Sequence, residues 1–350
     1  MKLLFLLFSF LSSVPAVFSQ GDPSLSRELH WAVTEEKFEL ALERLRWEKK
    51  ARRRLPVVLS HGLLTGSLIW NLDQDHSLAR YLAQEGFDVW NLSWRGTDRS
   101  LDPLKGGSKV WNLDDIAERD IPSVIRYVQK ESRRPKIIWI GLDLGGILLY
   151  GHLERKGDAG LAGLVTIGAP VTFSHPDQEP IRGLLRLAGS PTLKRLFLYF
   201  NTRLLGRLFL PPAPGVKRLF YHQDNIAEEV LQKLLEDALT DVNPGVLDHL
   251  LLVIQRGEFV SAKGNLSYRK NLAKIQLPLL LIGGEKDALA PPEALQAVHR
   301  AVGSAERTLR LFGPRSKDSA AYGHWDLLVG RKARQEVFPV IGKWLKERDG

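Results

Sequence analysis

The stretch KIIWIGLDLGG, residues 136–146, sets five apolar residues in near succession and then turns through a Gly-x-Asp-x-Gly corner. A short apolar run of this kind reads as a strand buried on both faces. The stretch GGILLYGHLERKG that follows reads as a helix ending at Gly157. The corner therefore places one acidic side chain, Asp143, where a buried strand becomes a helix.

The same rhythm extends in both directions. LPVVLSHG, FDVWNLSWRG and LAGLVTIGAP read as further buried strands. DHSLARYLAQEG reads as an amphipathic helix ending at Gly86, and LDDIAERDIPSVIRYVQKES as a helix bent at its Pro. Upstream, LHWAVTEEKFELALERLRW alternates about a Glu-Glu-Lys turn and is predicted to form a hairpin, with a short helix as the alternative. The rhythm stops at Pro170 and resumes at LPLLLIGGEKD, followed by the helix PPEALQAVHRAVG, the strand RTLRLFG and the helix ARQEVFPVIGKWL. Between them the text is helical, with Pro-rich breaks such as LPPAPG. Alternating strands and helices mean a mostly parallel sheet covered on both faces. The expected fold class is α/β with an inserted helical cap. Residues 1–19 form a leader, 20–170 and 271–350 the two parts of the core, and 171–270 the cap.

The 350 residues, 44% hydrophobic and 25% charged, suit a globular protein with a full core. Lys2 and the run LLFLLFSFL, followed by small residues before Gln20, read as a secretory signal peptide; an uncleaved N-terminal anchor is the other reading. The expected location is thus secreted or periplasmic. There are no cysteines, so the fold holds without disulfides, and a Cys nucleophile or thiolate metal site is excluded. His222 and His299 have no companions at ligand spacing and no HExxH string occurs, so neither metal nor cofactor is expected.

The net charge of +9 is concentrated. Arg182, Arg186, Lys194, Arg195, Arg203, Arg207, Lys217 and Arg218 fall in one segment that holds no Asp or Glu. Leucines and phenylalanines recur between them. As helices these would be basic and amphipathic, which suits an anionic membrane surface or a lid over an apolar substrate; packing on the core alone is the plain alternative. No nucleic-acid-binding module accompanies the charge. The run KKARRR at 49–54 is expected to be a solvated turn.

In a parallel sheet, functional side chains collect beyond the carboxyl ends of the strands. Asp143, Asp287 in GGEKDALAPPE, His324 in AAYGHWDLLVG and the turn SHGLL at 60–64 all fall there. This order of nucleophile position, acid and histidine resembles the α/β-hydrolase fold. SHGLLTGSLIWNLDQDHSLARYLAQEGFDVWNLSWRG, LDDIAERDIPSVIRYV and GHWDLLVGRKARQEVFPVIGKWL are similar to the lipase and polyhydroxyalkanoate-synthase-like branch of that superfamily. The resemblance implies that Asp287 orients His324, that the backbone amides of Leu63 and Leu144 form an oxyanion hole, and that the cap roofs an apolar pocket.

The departure is at Asp143, where that branch uses Ser or Cys. A carboxylate, with a reference pKa of about 3.9, needs no base to become a nucleophile. It suits displacement at a saturated carbon, which would leave an alkyl ester for His324-activated water to hydrolyse. Haloalkane dehalogenases and epoxide hydrolases of this fold resemble that scheme. Their accessory residues match poorly: Leu144 stands where dehalogenases carry a Trp, and HGLL lacks the Pro of epoxide hydrolases. Tyr199, Tyr221 and Tyr268 are the available cap hydroxyls. Two other readings stand beside this one. Asp143 could cap the following helix, worth about 0.5–2 kcal/mol, in an inactive lipase-like protein that binds acyl or lipid ligands. Alternatively, His324 could activate water directly with Asp143 a bystander. His61 and His175 are expected to be structural, and Asp326 to bond local backbone.

Overall fold

The computed structural model describes residues 23–49, 55–100, 110–158, 160–188, 190 and 214–349. The leader, positions 50–54 of the basic run, Tyr199, and the four cap bases from Lys194 to Arg207 lie outside the described residues.

Eight strands form one sheet in the order β1-β2-β4-β3-β5-β6-β7-β8. β1 (Leu25–Val33) and β2 (Glu39–Trp47) form the N-terminal hairpin, and β2 runs antiparallel to β4 (Val89–Leu92). From β4 onward every pairing is parallel, through β3 (Val57–Ser60), β5 (Ile137–Leu142), β6 (Leu161–Ile167), β7 (Leu279–Gly284) and β8 (Arg307–Phe312). The central strands β5 and β7 are apolar throughout because both faces are covered. In β5, Ile137 and Trp139 enter one core layer while Ile138, Ile140 and Leu142 enter the other. Leu279 and Leu281 of β7 divide from Leu280 and Ile282 in the same way. Each such side chain contributes roughly 1.5–3 kcal/mol on burial, so this alternation fixes the strand register.

The connecting helices begin and end on the residues that the sequence marks. In α1 (Leu78–Gln84), the Ser77 hydroxyl accepts from the Arg80 amide at 2.9 Å, and Gly86 lies just beyond with φ 94°. The expected Pro bend takes another form. Asn112 and Asp115 make a capping box at the start of α2 (Leu113–Asp115), a π turn occupies Ile116–Asp120, and α3 (Ile121–Ser132) follows with Pro122 in its first turn. The wider turn lets the Ile121 amide bond the Ile116 carbonyl, so Pro122 enters where its missing N–H costs little. It also presents Asp120 to the buried Arg95, whose Nε donates to it at 2.8 Å.

α4 (Leu144–Lys156) leaves the Asp143 corner and ends at Gly157. Between β6 and β7 lie the cap helices α5 (Glu179–Ala188), α6 (Pro214–Phe220), α7 (Glu228–Lys233) and α8 (Pro244–Arg256). The core closes with α9 (Pro292–Ala301), α10 (Asp326–Val329) and α11 (Ala333–Lys346). The cap is tied to the turn after β3: the Gly66 amide donates to the Ala238 carbonyl at 2.7 Å, and the Thr240 amide to that of Leu64 at 2.9 Å. That tie fixes the backbone on which Leu63 sits. Among the described residues no helix is long and apolar enough to cross a membrane.

Candidate active site

The corner after β5 is held in a conformation few side chains adopt. Asp143 has φ 47° and ψ −117°. Its amide donates to the Ile167 carbonyl at 2.8 Å, and its carbonyl accepts from the Gly146 and Ile147 amides at 3.0 Å each. Strain of this kind costs on the order of 1–3 kcal/mol and persists only where the surroundings impose it. They do so by proximity: a Cβ at Gly145 would lie 2.4 Å from the Ser60 carbonyl oxygen.

The Asp143 carboxylate does not cap α4, since its side chain makes no capping hydrogen bond. The Leu63 amide donates to its Oδ2 at 3.0 Å, and the Leu144 amide also reaches the carboxylate. One of the two amides expected to form an oxyanion hole, that of Leu63, therefore holds an oxygen of Asp143 itself. Gly62 makes this approach possible, because a Cβ there would stand 3.0 Å from the same oxygen.

The other two expected residues meet as a buried pair. Asp287 Oδ1 accepts from the Leu289 and Ala290 amides at 2.9 and 2.8 Å, and Oδ2 lies 2.8 Å from His324 Nδ1. With Nδ1 engaged, the remaining ring nitrogen, Nε2, is the one free for chemistry. Gly168 has φ 56°, and a Cβ there would come within 2.6 Å of His324 Cε1, so the pair exists only because that position is glycine. Asp326, adjacent in chain to Trp325, fixes the histidine loop to the cap. It accepts from the Gly323 and His222 amides and from Asn225 Nδ2 at 2.8 Å.

Electrostatics couple the three groups. Burial opposes charge on His324, yet the carboxylates of Asp287, Asp143 and Asp326 outweigh it and raise the imidazole to about 9. Burial also pushes the Asp143 carboxyl above the usual carboxylate range, against the pull of His324 and of the Leu63 and Leu144 amides. The carboxylates thus favour the charged imidazole, and the imidazole in turn favours the charged form of Asp143.

Asp143 and His324 line one cavity of about 70 Å³, whose other walls are apolar. Leu63, Leu144 and Ile147 form its floor, and Phe173, Phe220, Leu250, Phe259 and Trp325 come from the cap and the histidine loop. Sequence reading missed these aromatic wall residues, because the packing of the cap decides which of its apolar residues face inward. Trp325, next to His324 in the chain, carried the one available hint.

The remaining candidates fall elsewhere. Tyr268 donates to Asp114 Oδ1 at 2.7 Å and stacks on Phe259, so it is not a cavity donor. Tyr221 lines a separate outer cleft with His222. His61 is structural, with Nδ1 3.0 Å from the Gly62 carbonyl and Nε2 receiving the Trp94 amide at 3.3 Å. His175 caps the short turn before α5. No group of three or more His, Cys, Asp or Glu able to hold a metal occurs among the described residues.

The family described as serine aminopeptidase, S33, matches residues 51–313, and the chain belongs to it. This places it among the lipase- and esterase-like enzymes of the α/β-hydrolase superfamily. A probable lipase of Schizosaccharomyces pombe is 26% identical over 355 aligned positions, covering 91% of this chain and 77% of the relative. A poly(3-hydroxyalkanoate) polymerase subunit of Haloferax mediterranei is 25% identical over 326 positions, covering 88% of this chain and 62% of its own, so this chain spans a little under two thirds of that relative. An esterase from Exiguobacterium antarcticum shares the fold at 18% identity with a TM-score of 0.60, covering 90% of this chain and 98% of the esterase.

The coupling can be read directly by NMR titration of the His324 ring. The midpoint is expected at about 9 rather than 6.5, and it should fall on Asp143→Asn and further on Asp287→Asn. A wild-type midpoint near 6.5, or one that ignores Asp143→Asn, contradicts the coupling.

Proposed function

We propose that this enzyme hydrolyses an apolar alkyl or acyl-type substrate through a covalent ester on Asp143. The observation that carries the reading is the shared cavity: the corner carboxylate and the Asp287-paired imidazole line the same apolar space. A free oxygen of Asp143 attacks a saturated carbon, a carbon–oxygen bond forms, and the leaving group departs with the bonding pair. Esterification removes the Asp143 charge, which is one of the charges keeping His324 protonated. The imidazole then loses its proton to solvent and becomes a base. It takes a proton from water, whose oxygen adds to the Asp143 carbonyl carbon. The oxyanion develops on the oxygen already bonded to the Leu63 amide, so the donors need no rearrangement. Collapse releases the alcohol and restores the carboxylate. Roles follow: Asp143 is the nucleophile, His324 the base, Asp287 its orienting acid, and the amides of Leu63 and Leu144 the oxyanion hole.

The catalytically inactive lipase-like binder is the competing reading. It draws on the Leu63 amide, because with Asp143 resting on it that donor is closed to the carbonyl oxygen of an incoming ester. A single turnover in heavy-oxygen water separates the two. The ester route places label in the Asp143 carboxylate; product formed with unlabelled Asp143 excludes it.

We also infer that the chain is exported on its leader and that the basic cap surface meets anionic lipid. What supports the second is α5. It exposes Leu187 beside Arg186, whose guanidinium shares Glu179 with Arg182, the latter also bonded to the carbonyls of Phe173 and His175. Co-sedimentation with anionic vesicles at low salt is the expected result, lost at high salt; no binding at low salt removes the idea.

A further inference from the structure

Edge strands expose unpaired amides and carbonyls, and proteins ordinarily blunt them with charge, proline, bulges or short length. The two edges of this sheet differ in that respect. β8 is six residues long and carries Arg307 and Arg310, the latter paired with Asp318. β1 is nine residues long, has no proline, and pairs with β2 in unbroken register. Leu29, Trp31 and Val33, on one face of it, are 36%, 42% and 57% exposed. They are three of the five exposed large hydrophobic residues among those described. The other face is covered: Tyr127 of α3 sits with its hydroxyl 3.0 Å from His30 Nδ1 and against the Trp31 backbone.

We propose that β1 is a homodimer contact, pairing antiparallel with β1 of a second copy about a two-fold axis at Leu29. The occupant is argued from the strand's own sequence, LSRELHWAV. An antiparallel pair related by a two-fold axis keeps residues of one face opposite one another. Centred on Leu29, this register sets Leu25 opposite Val33, Arg27 opposite Trp31 and Leu29 opposite itself on the open face. On the covered face Glu28, which within its own chain already meets His30 and Arg46, stands opposite the second copy's His30. Every cross-strand pair is then apolar, cation on aromatic, or acid with imidazole, apart from the small Ser26 and Ala32, and no like charges meet. Moving the axis by one residue in either direction loses the Glu28–His30 and Arg27–Trp31 pairings. The two eight-stranded sheets become one, and Leu29, Trp31 and Val33 gain lateral contacts with their cross-strand counterparts.

The chain has no cysteine, so a single introduced thiol reports the contact cleanly. Sedimentation of the full chain is expected to give twice the mass of one chain, and Leu29→Lys to give a monomer. Under mild oxidation Leu29→Cys should form a disulfide-linked dimer, whereas the exposed Asp75→Cys control should not. A monomeric wild type overturns the proposal, as does a dimer that survives Leu29→Lys. If Leu29→Lys fails to fold, the cysteine pair decides alone. Equal cross-linking at both positions, or none at Leu29→Cys, is then the contrary result.

Discussion

A buried imidazolium is tolerated only where negative charge faces it, and the loops at the carboxyl ends of three strands converge to supply that charge around His324. Asp287 fixes the ring by Nδ1 at 2.8 Å and is itself held by two amides. Asp143 faces the same cavity from the corner after β5. Neither carboxylate could sit where it does without close backbone approach. Gly168 leaves space for the imidazole, and Gly62 lets the Leu63 amide reach Asp143. The strained dihedrals of Asp143, the glycine pattern and the parallel sheet are thus consequences of bringing three ionisable groups together out of water.

That constraint also explains what exchanging the hydroxyl of this superfamily's usual serine for a carboxylate does. A serine at such a corner is neutral and adds no charge beside the histidine. Asp143 brings a carboxylate that, after Asp287, helps raise the His324 imidazole, and an oxygen that rests on the Leu63 amide. In the mechanism we propose, the order of proton movements is reversed: the nucleophile needs no base, and the base becomes competent only after the nucleophile has been alkylated. The remainder of the cavity is apolar, which strengthens each of these interactions.

Much of this was readable in the amino-acid order, because burial imposes periodicity. The runs of β3, β5 and β7 and the glycines after α1 and α4 each follow from local physics and appear where the text placed them. The convergence of Asp143, Asp287 and His324 was legible because the carboxyl ends of parallel strands share one edge of the sheet. Other features depend on contacts remote in sequence. The π turn before Pro122 answers to Arg95, and Tyr268 is committed to Asp114 by a hydrogen bond 154 residues away along the chain. The aromatic cavity wall depends on how the cap helices rotate, and the open face of β1 on α3 covering only one side. None of these has a periodic signature.

The most direct test of the central claim uses a protein arrested after its first step. His324→Gln keeps the carboxylate but removes the base. Offered a panel of alkyl halides, epoxides and esters, it should gain the mass of one alkyl group per chain, and digestion should place that mass on the peptide containing Asp143. If no member of the panel adds mass, or if the adduct sits on another residue, the carboxylate at the corner is not the nucleophile.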